Sequence, residues 1–159
     1  MRLIVLNGAK NSGKELVARR LAENSDCKYI KPFTDHPRDN GSDDEYIRLN
    51  KPKLDNKLDS EVEFCITEVN GYRYVFFENQ LNAGYVVLIG DDMVVSYLKR
   101  KWKGDLITVK VHSNNEKYSE RFLLGDDDFD IVFNVDNDDI DELEELVGDI
   151  YHFRDGDDL

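Results

Sequence analysis

The chain has 159 residues, with 34 acidic and 21 basic side chains and a formal net charge of −13. Its length is typical of one domain, and it lacks an apolar run of the roughly 18 residues that a membrane-spanning helix needs. Two cysteines, Cys27 and Cys65, are too few for a disulfide scaffold and have no metal-site spacing. With no signal-type N-terminus, we expect a cytoplasmic protein with reduced, buried thiols and no membrane contact.

The negative charge is concentrated near the end of the chain. Residues 126–159 contain 15 acids and one base, whereas residues 1–125 contain 19 acids and 20 bases. Such a surface repels nucleic-acid backbones, so we expect no direct binding to nucleic acid. Two interpretations stay open: a solvated helix face with an acidic tail at 152–159, or a surface that meets a basic protein or imitates a nucleic acid.

The first elements are a strand, a glycine-rich turn and a helix. Leu3–Leu6 is a short apolar run, Gly8 to Lys14 matches G-x-x-x-x-G-K, and Lys14–Glu23 has helical apolar spacing. This order is typical of a phosphate-binding P-loop, although an ordinary glycine-rich turn is the alternative. The predicted phosphate-binding residues are Gly8, Ala9, Lys10, Asn11, Ser12, Gly13, Lys14 and Glu15.

Glu15 departs from the motif, which has Ser or Thr after the lysine. That hydroxyl normally ligates Mg²⁺. A carboxylate can also ligate Mg²⁺, but at about 4 Å from a phosphate and an effective dielectric near 20 it adds on the order of 4 kcal/mol of repulsion.

The rest of the chain alternates between strand and helix patterns. A polar stretch at 32–59 has too little apolar content for core, and Asn70-Gly71 marks a hairpin within Phe64–Phe77. The predicted strands are Cys27–Ile30, Tyr85–Ile89, Leu106–Val111 and Ile131–Phe133, and the predicted helices are Glu78–Ala83, Met93–Trp102, Glu116–Leu123 and Ile140–Tyr151.

This alternation predicts a three-layer α/β fold of the P-loop NTPase type with a mainly parallel sheet. We expect one domain at 1–151, with a small β-rich insertion at about 32–80.

Over its length from Arg2 to about Tyr151, the sequence resembles guanylate kinase, a P-loop nucleoside monophosphate kinase. The P-loop is followed by segments similar to that family's T-T-R-x-P-R, D-Y, E-V-x-G-x-Y-Y, A-G-x-x-V-I-L-D-I-D and Y-D-x-x-I-x-N motifs. In this chain they read Phe33-Thr-Asp-His-Pro-Arg38, Asp43-Asp-Glu-Tyr46, Glu68-Val-Asn-Gly-Tyr-Arg-Tyr74, Ala83-Gly-Tyr-Val-Val-Leu-Ile-Gly-Asp-Asp92 and Phe129-Asp-Ile-Val-Phe-Asn134.

The resemblance implies that the insertion at about 32–80 binds the nucleoside monophosphate. In it, Arg38, Tyr46 and Tyr74 would hold the monophosphate and Thr34 would contact the nucleotide. It also implies that Asp92 lies near the metal, so the predicted catalytic residues are Lys14, Arg38 and Asp92. Glu15 and Asp92 would then hold Mg²⁺, and the substrates would be ATP and a nucleoside monophosphate.

The chain also departs from the family pattern. Asp35 replaces the first phosphate-binding arginine, and Cys65 and Gly90 replace the two guanine-reading acids, for which Asp91 or Glu63 are alternatives. Little chain remains for an arginine-bearing lid, although Arg121 matches its first arginine.

Two functions therefore stay open. The first is a kinase that converts ATP and a nucleoside monophosphate into ADP and a diphosphate, with ATP and Mg²⁺. The second is a catalytically degenerate kinase fold, without a cofactor, that acts through its acidic face.

Overall fold

The computed structural model describes residues 2–23, 26–37, 45–117 and 124–155, with side chains up to Gly148. The strands in this part of the chain are β1 (Arg2–Asn7), β2 (Cys27–Tyr29), β3 (Phe33–Thr34), β4 (Ile47–Arg48), β5 (Glu63–Val69), β6 (Tyr72–Phe77), β7 (Tyr85–Ile89), β8 (Asp105–His112) and β9 (Ile131–Asn134). The helices are α1 (Lys14–Leu21), α2 (Lys51–Ser60), α3 (Asp92–Lys101) and α4 (Ile140–Asp155), with short 3₁₀ turns at Glu78–Gln80 and Asp126–Asp128.

Five strands form a parallel sheet in the order β2-β7-β1-β8-β9. β1 lies in the middle because its residues are apolar on both faces. In this order β2 and β7 lie on one side of β1, whereas β8 and β9 lie on the other side. In such sheets, ligands bind outside the carboxyl ends of the strands at this point of reversal. The G-x-x-x-x-G-K turn lies directly at the end of β1.

Helices cover both faces of this sheet, as the sequence predicts. Ile4 and Leu6 pack toward α1 and α4, whereas Leu3 and Val5 pack toward α3. The alternation follows from the two-residue period of a strand. The predicted three-layer α/β fold is confirmed.

A second sheet has the order β4-β3-β6-β5. β5 and β6 form the predicted hairpin, and Asn70 and Gly71 have φ angles of 53° and 82° at its turn. Asn-Gly suits this turn because both central residues need a positive φ.

The prediction that the polar stretch at 32–59 makes no core is wrong. It contains β3, β4 and α2, and α2 packs on the second sheet through the fully buried Leu54. The side chain of Asn50 caps α2 by accepting a hydrogen bond from the Lys53 amide, and Pro52 lies in its first turn. A narrow apolar stripe is enough because α2 covers only one face of the small sheet, whereas Cys65 and Phe76 of the same sheet pack into the core beside α3.

Two predicted helices differ from the structure. The predicted helix Glu78–Ala83 is a 3₁₀ turn that ends at Gln80. The predicted helix Glu116–Leu123 is wrong at its start, because Lys117 pairs with Lys10 in an isolated antiparallel bridge. The remainder of that helix, 118–123, lies outside the described residues.

Among the described residues, none of the helices combines the length and apolar composition that a membrane crossing requires.

Leu54→Ala tests whether α2 contributes to the core. Removing a fully buried leucine leaves a cavity, so we expect the free energy of unfolding to fall by about 2–5 kcal/mol in urea titration. Leu146, which is 48% exposed in α4, is the matched control, and Leu146→Ala should stay within about 0.5 kcal/mol of the unmodified protein. Equal small effects of both substitutions would contradict the placement of α2.

Candidate functional site

The P-loop is a tight turn that requires glycine at its first position. A Cβ at Gly8 would lie 2.3 Å from Ser12 Oγ and 2.8 Å from the carbonyl oxygen of Val111. Gly13 has a φ of +91°, in the left-handed region that glycine adopts without strain. The two glycines of the motif therefore have distinct roles, close packing at Gly8 and chain direction at Gly13.

The start of α1 places positive charge beside the same turn, from its backbone amides and from the ammonium of Lys14. Gly13 precedes α1, and within the described residues no side chain caps the first backbone amides of the helix. Lys14 Nζ donates a hydrogen bond to the Ala9 carbonyl at 3.2 Å. The uncapped amides, the helix dipole and an ammonium together favour an anion.

Ser12 adds an unused polar atom inside the loop. Its Oγ is buried and has no hydrogen-bond partner in the part of the chain that the structure describes. Buried polar groups are nearly always paired, so an unpaired hydroxyl here fits a loop built around a polar ligand.

The P-loop forms one wall of a cleft of about 850 Å³. This volume is within the range of about 300–1,000 Å³ that is typical of small-molecule sites. The second sheet provides the opposite wall, where the rings of Tyr46 and Tyr74 meet with centroids 5.5 Å apart. Four cationic side chains from the described residues line the cleft: Lys10, Lys14, Arg19 and Lys117.

The structure brings together part of the predicted site. Gly8, Lys10, Asn11, Lys14, Glu15, Tyr46 and Tyr74 all line the cleft. Ala9 and Ser12 are buried within the P-loop, and Gly13 lies at its end. Thr34 is fully buried and does not line the cleft; its Oγ1 accepts a hydrogen bond from the His36 amide. Arg38 lies outside the described residues.

Asp92 lies behind the P-loop in a buried polar network. Asn7 Nδ2 donates to the Gly90 carbonyl at 3.0 Å and to Asp92 Oδ1 at 3.1 Å. Asn7 Oδ1 accepts from Lys110 Nζ at 2.9 Å, and Lys110 is 2% exposed. The second oxygen of Asp92 accepts from the Leu124 amide at 3.1 Å. The carboxylate is thus used in the protein interior, and Asp92 is not among the residues that line the cleft.

Three carboxylates line the cleft in the part of the chain that the structure describes: Glu15, Glu45 and Asp91. Arg19 and Tyr29 donate hydrogen bonds to Glu45, and one Asp91 oxygen caps α3 at the Val94 amide. Within the described residues, no three His, Cys, Asp or Glu side chains form a metal cage. Mg²⁺ in nucleotide sites is commonly held by one or two carboxylates together with phosphates and water, and Glu15 and Asp91 have the chemistry of such ligands.

The carboxylate of Asp35 points to a partner on the second sheet. Asp35 accepts hydrogen bonds from the backbone amide of Arg73 at 2.8 Å and from its Nε at 3.0 Å. Burial would raise the pKa of Asp35, but these contacts with Arg73 outweigh it and the pKa is lowered. Asp35 does not line the cleft, so its charge is neutralised away from any ligand there.

The two positions that replace guanine-reading acids differ in their surroundings. Cys65 is fully buried in the core, where burial and then the charge of Asp91 raise the pKa of its thiol to about 12. Gly90 lines the cleft, and a Cβ there would lie 2.5 Å from Val94 Cγ1. Of the two alternatives, Asp91 lines the cleft and Glu63 does not.

Sequence reasoning missed a polar cluster in the cleft formed by Arg19, Glu45 and Tyr29. Arg19 donates to Glu45 Oε1 at 2.9 Å, and the Tyr29 hydroxyl donates to the other oxygen. Burial, followed by the hydrogen bond to Glu45, raises the pKa of Tyr29. No local motif signals this cluster, because its members come from three separate segments.

His112, at the end of β8, joins two acids that flank residues 118–123. Its Nδ1 lies 3.0 Å from Glu116 Oε1 and its Nε2 lies 2.8 Å from Asp126 Oδ1. Partial burial by itself would lower the pKa of His112, but the hydrogen bonds and charges of Asp126 and Glu116 outweigh it and the pKa is raised.

Asn7→Ala tests the buried network behind the loop. The substitution removes a hydrogen bond from both Lys110 and Asp92, and we expect the free energy of unfolding to fall by about 2–5 kcal/mol. Asn56→Ala, at an exposed amide in α2, is the control and should change little. If both variants unfold at the same urea concentration, Asn7 does not connect these charges.

The stabilising contribution of His112 should depend on pH. A raised folded-state pKa means that the contribution is fully present below the unfolded pKa of about 6.5 and is lost as the pH rises through the folded value. Comparing the unfolding of unmodified protein and His112→Gln should therefore give a larger difference at pH 6 than at pH 9. The difference should be below about 1 kcal/mol, because solvent screens this pair. A difference that grows with pH would contradict the charged contact.

No protein-family model matches this sequence, and neither does any curated protein. Among solved structures, the chain is similar to the crystal structure of guanylate kinase from Anaplasma phagocytophilum, with a TM-score of 0.62 and 13% sequence identity. The match covers 96% of this chain and 85% of that chain. At this identity the likeness shows the fold alone, and the chain has a guanylate-kinase-like P-loop fold.

Proposed function

We propose that this protein binds nucleotides in the cleft and is of the nucleoside monophosphate kinase type, converting ATP and a nucleoside monophosphate into ADP and a diphosphate. The observation that supports this proposal is the cleft itself. The P-loop forms one wall of the cleft, and the Tyr46–Tyr74 pair lies on the opposite wall. The fold of the solved guanylate kinase supports the same reading.

On the P-loop side, the chain would bind the phosphates of ATP. The amides at the start of α1 and the ammonium of Lys14 would stabilise the negative charge that develops as a phosphoryl group is transferred. Glu15 and Asp91 would hold Mg²⁺ when it binds with ATP, and the ion would offset negative charge on the phosphates. The repulsion expected from Glu15 is reduced, because Glu15 Oε1 lies 3.8 Å from Lys14 Nζ and both line the cleft.

On the other side, the monophosphate would lie against the tyrosines. Their hydroxyls provide neutral donors, and Arg38, outside the described residues, would add a planar guanidinium. The charge reversal at Asp35 does not oppose this arrangement, because Arg73 neutralises that carboxylate away from the cleft.

A second function, an inactive kinase fold that binds a basic protein, is favoured by the surface of α4. Asp141, Glu142 and Glu145 are exposed there beside Leu146, an apolar side chain that is 48% exposed. These exposed acids would attract a positively charged partner, and Leu146 would add apolar contact area to the same surface.

Calorimetric titration with ATP, GMP and dTMP, with and without Mg²⁺, tests the proposed function. We expect ATP to bind and Lys14→Ala to weaken it by about 10–100-fold, the range for a hydrogen bond to a charged group. ADP formation with one of the monophosphates would support transfer.

The matched control is Lys101→Ala, which removes an exposed lysine of α3 that does not line the cleft. It should bind ATP as the unmodified protein does. Absence of ATP binding at millimolar concentrations would contradict the proposed function and leave the acidic surface of α4 as the functional candidate.

A further inference from the structure

The segment after β8 is attached to the outside of the P-loop at two points. The Lys117 amide donates to the Lys10 carbonyl at 2.8 Å, and Ser113 Oγ donates to the Asn11 carbonyl at 2.5 Å. Both bonds occupy loop carbonyls, which are the groups of the loop that would repel a phosphate. The segment thus reduces the repulsion between the loop carbonyls and a bound anion. It also brings its own side chains close to the P-loop.

Further contacts hold this segment in place. Glu116 accepts from His112, and the Asn114 amide donates to Asp136 Oδ2 at 2.6 Å. Lys117 therefore follows a segment that is fixed to β8, to the P-loop and to the loop after β9. A cation held in this way contributes to binding with less loss of conformational entropy than one on a free arm.

The bridge places two lysines opposite each other. Residues paired across an antiparallel bridge have neighbouring side chains, and like charges in such a pair are destabilising. Lys10 and Lys117 are both exposed and both line the cleft. Within the described residues, neither ammonium has a carboxylate partner, in contrast to Arg19, which pairs with Glu45. An anion bound between the two ammonium groups would offset the repulsion between them.

We propose that Lys10 and Lys117 form a two-lysine clamp that binds the terminal phosphate of a nucleoside triphosphate seated on the P-loop. This inference rests on the proposed function, since it needs a nucleotide in the cleft. The clamp supplies positive charge from the β8 side of the loop, in addition to Lys14 on the α1 side. The clamp would favour nucleotides with three phosphates over those with two, because the two ammonium groups attract the terminal phosphate and do not contact the base.

The test is the affinity for ATP and ADP of Lys10→Ala, Lys117→Ala and Lys117→Arg, with Lys101→Ala as control. Each alanine variant should bind ATP about tenfold more weakly, the lower end of the range for a charged hydrogen bond, and ADP less than about threefold more weakly. Lys117→Arg should recover most of the loss, because it restores the charge. The difference between ATP and ADP should also shrink as salt is raised.

Thermal unfolding of each variant without nucleotide shows whether weaker ATP binding comes from the lost lysine or from a misfolded protein. Removing one of two like charges should leave each alanine variant at least as stable as the unmodified protein, whereas added ATP should raise its melting temperature by less than in the unmodified protein. Equal losses for ATP and ADP, or ATP binding that is unchanged in both alanine variants while Lys14→Ala loses it, would overturn the clamp alone. Absence of ATP binding in the unmodified protein would overturn the clamp and the proposed function together.

Discussion

The amide of Asn7 connects the elements that meet at the floor of the cleft. It bonds to the carbonyl of Gly90 after β7, to Asp92 at the start of α3 and to Lys110 on β8, and it is the residue directly before Gly8. All of these groups are buried, where an unpaired polar or charged group is strongly destabilising. The backbone entering the P-loop is therefore fixed relative to its neighbouring strands. Val111 follows Lys110 on β8, and its carbonyl oxygen would lie 2.8 Å from a Cβ at Gly8, so the same alignment leaves room only for glycine there.

The distribution of charge around the cleft follows from which groups already have partners. Asp35 is paired with Arg73, and Asp92 is used in the interior, so neither adds negative charge to the cleft lining. Glu45 has Arg19 and Tyr29 as partners, and Glu15 lies beside Lys14. The ammonium groups of Lys10 and Lys117 have no such carboxylate within the described residues. With Asp91 included, four cations and three carboxylates from the described residues line the cleft, so its lining is slightly positive in a protein whose formal net charge is −13.

The sequence predicts well those parts of the fold that depend on local patterns. The strand, turn and helix at residues 3–21, the hairpin at Asn70-Gly71 and the helix in Asp92–Lys101 all follow from periodicity and turn chemistry. α2 was harder, because its burial relies on a few side chains against a small sheet that itself forms from distant segments. Loop residues of the site were predictable from the motif, and Tyr46 and Tyr74 came from the family resemblance. Lys117 was not predictable, because a single bridge across more than 100 residues of chain brings it to the loop.

We propose that the P-loop is the phosphate-binding element of this protein. The most direct measurement is a titration of ¹⁵N-labelled protein with ATP and Mg²⁺, followed by the backbone amide resonances in NMR spectra, which a chain of 18.5 kDa permits. We expect the amide resonances of Gly8, Gly13 and Lys14 to shift most, since a phosphate that accepts their hydrogen bonds changes their environment directly. Amides of α4 should stay unchanged. Saturation by ATP with shifts confined to α4 or to the second sheet, and none in the P-loop, would contradict it.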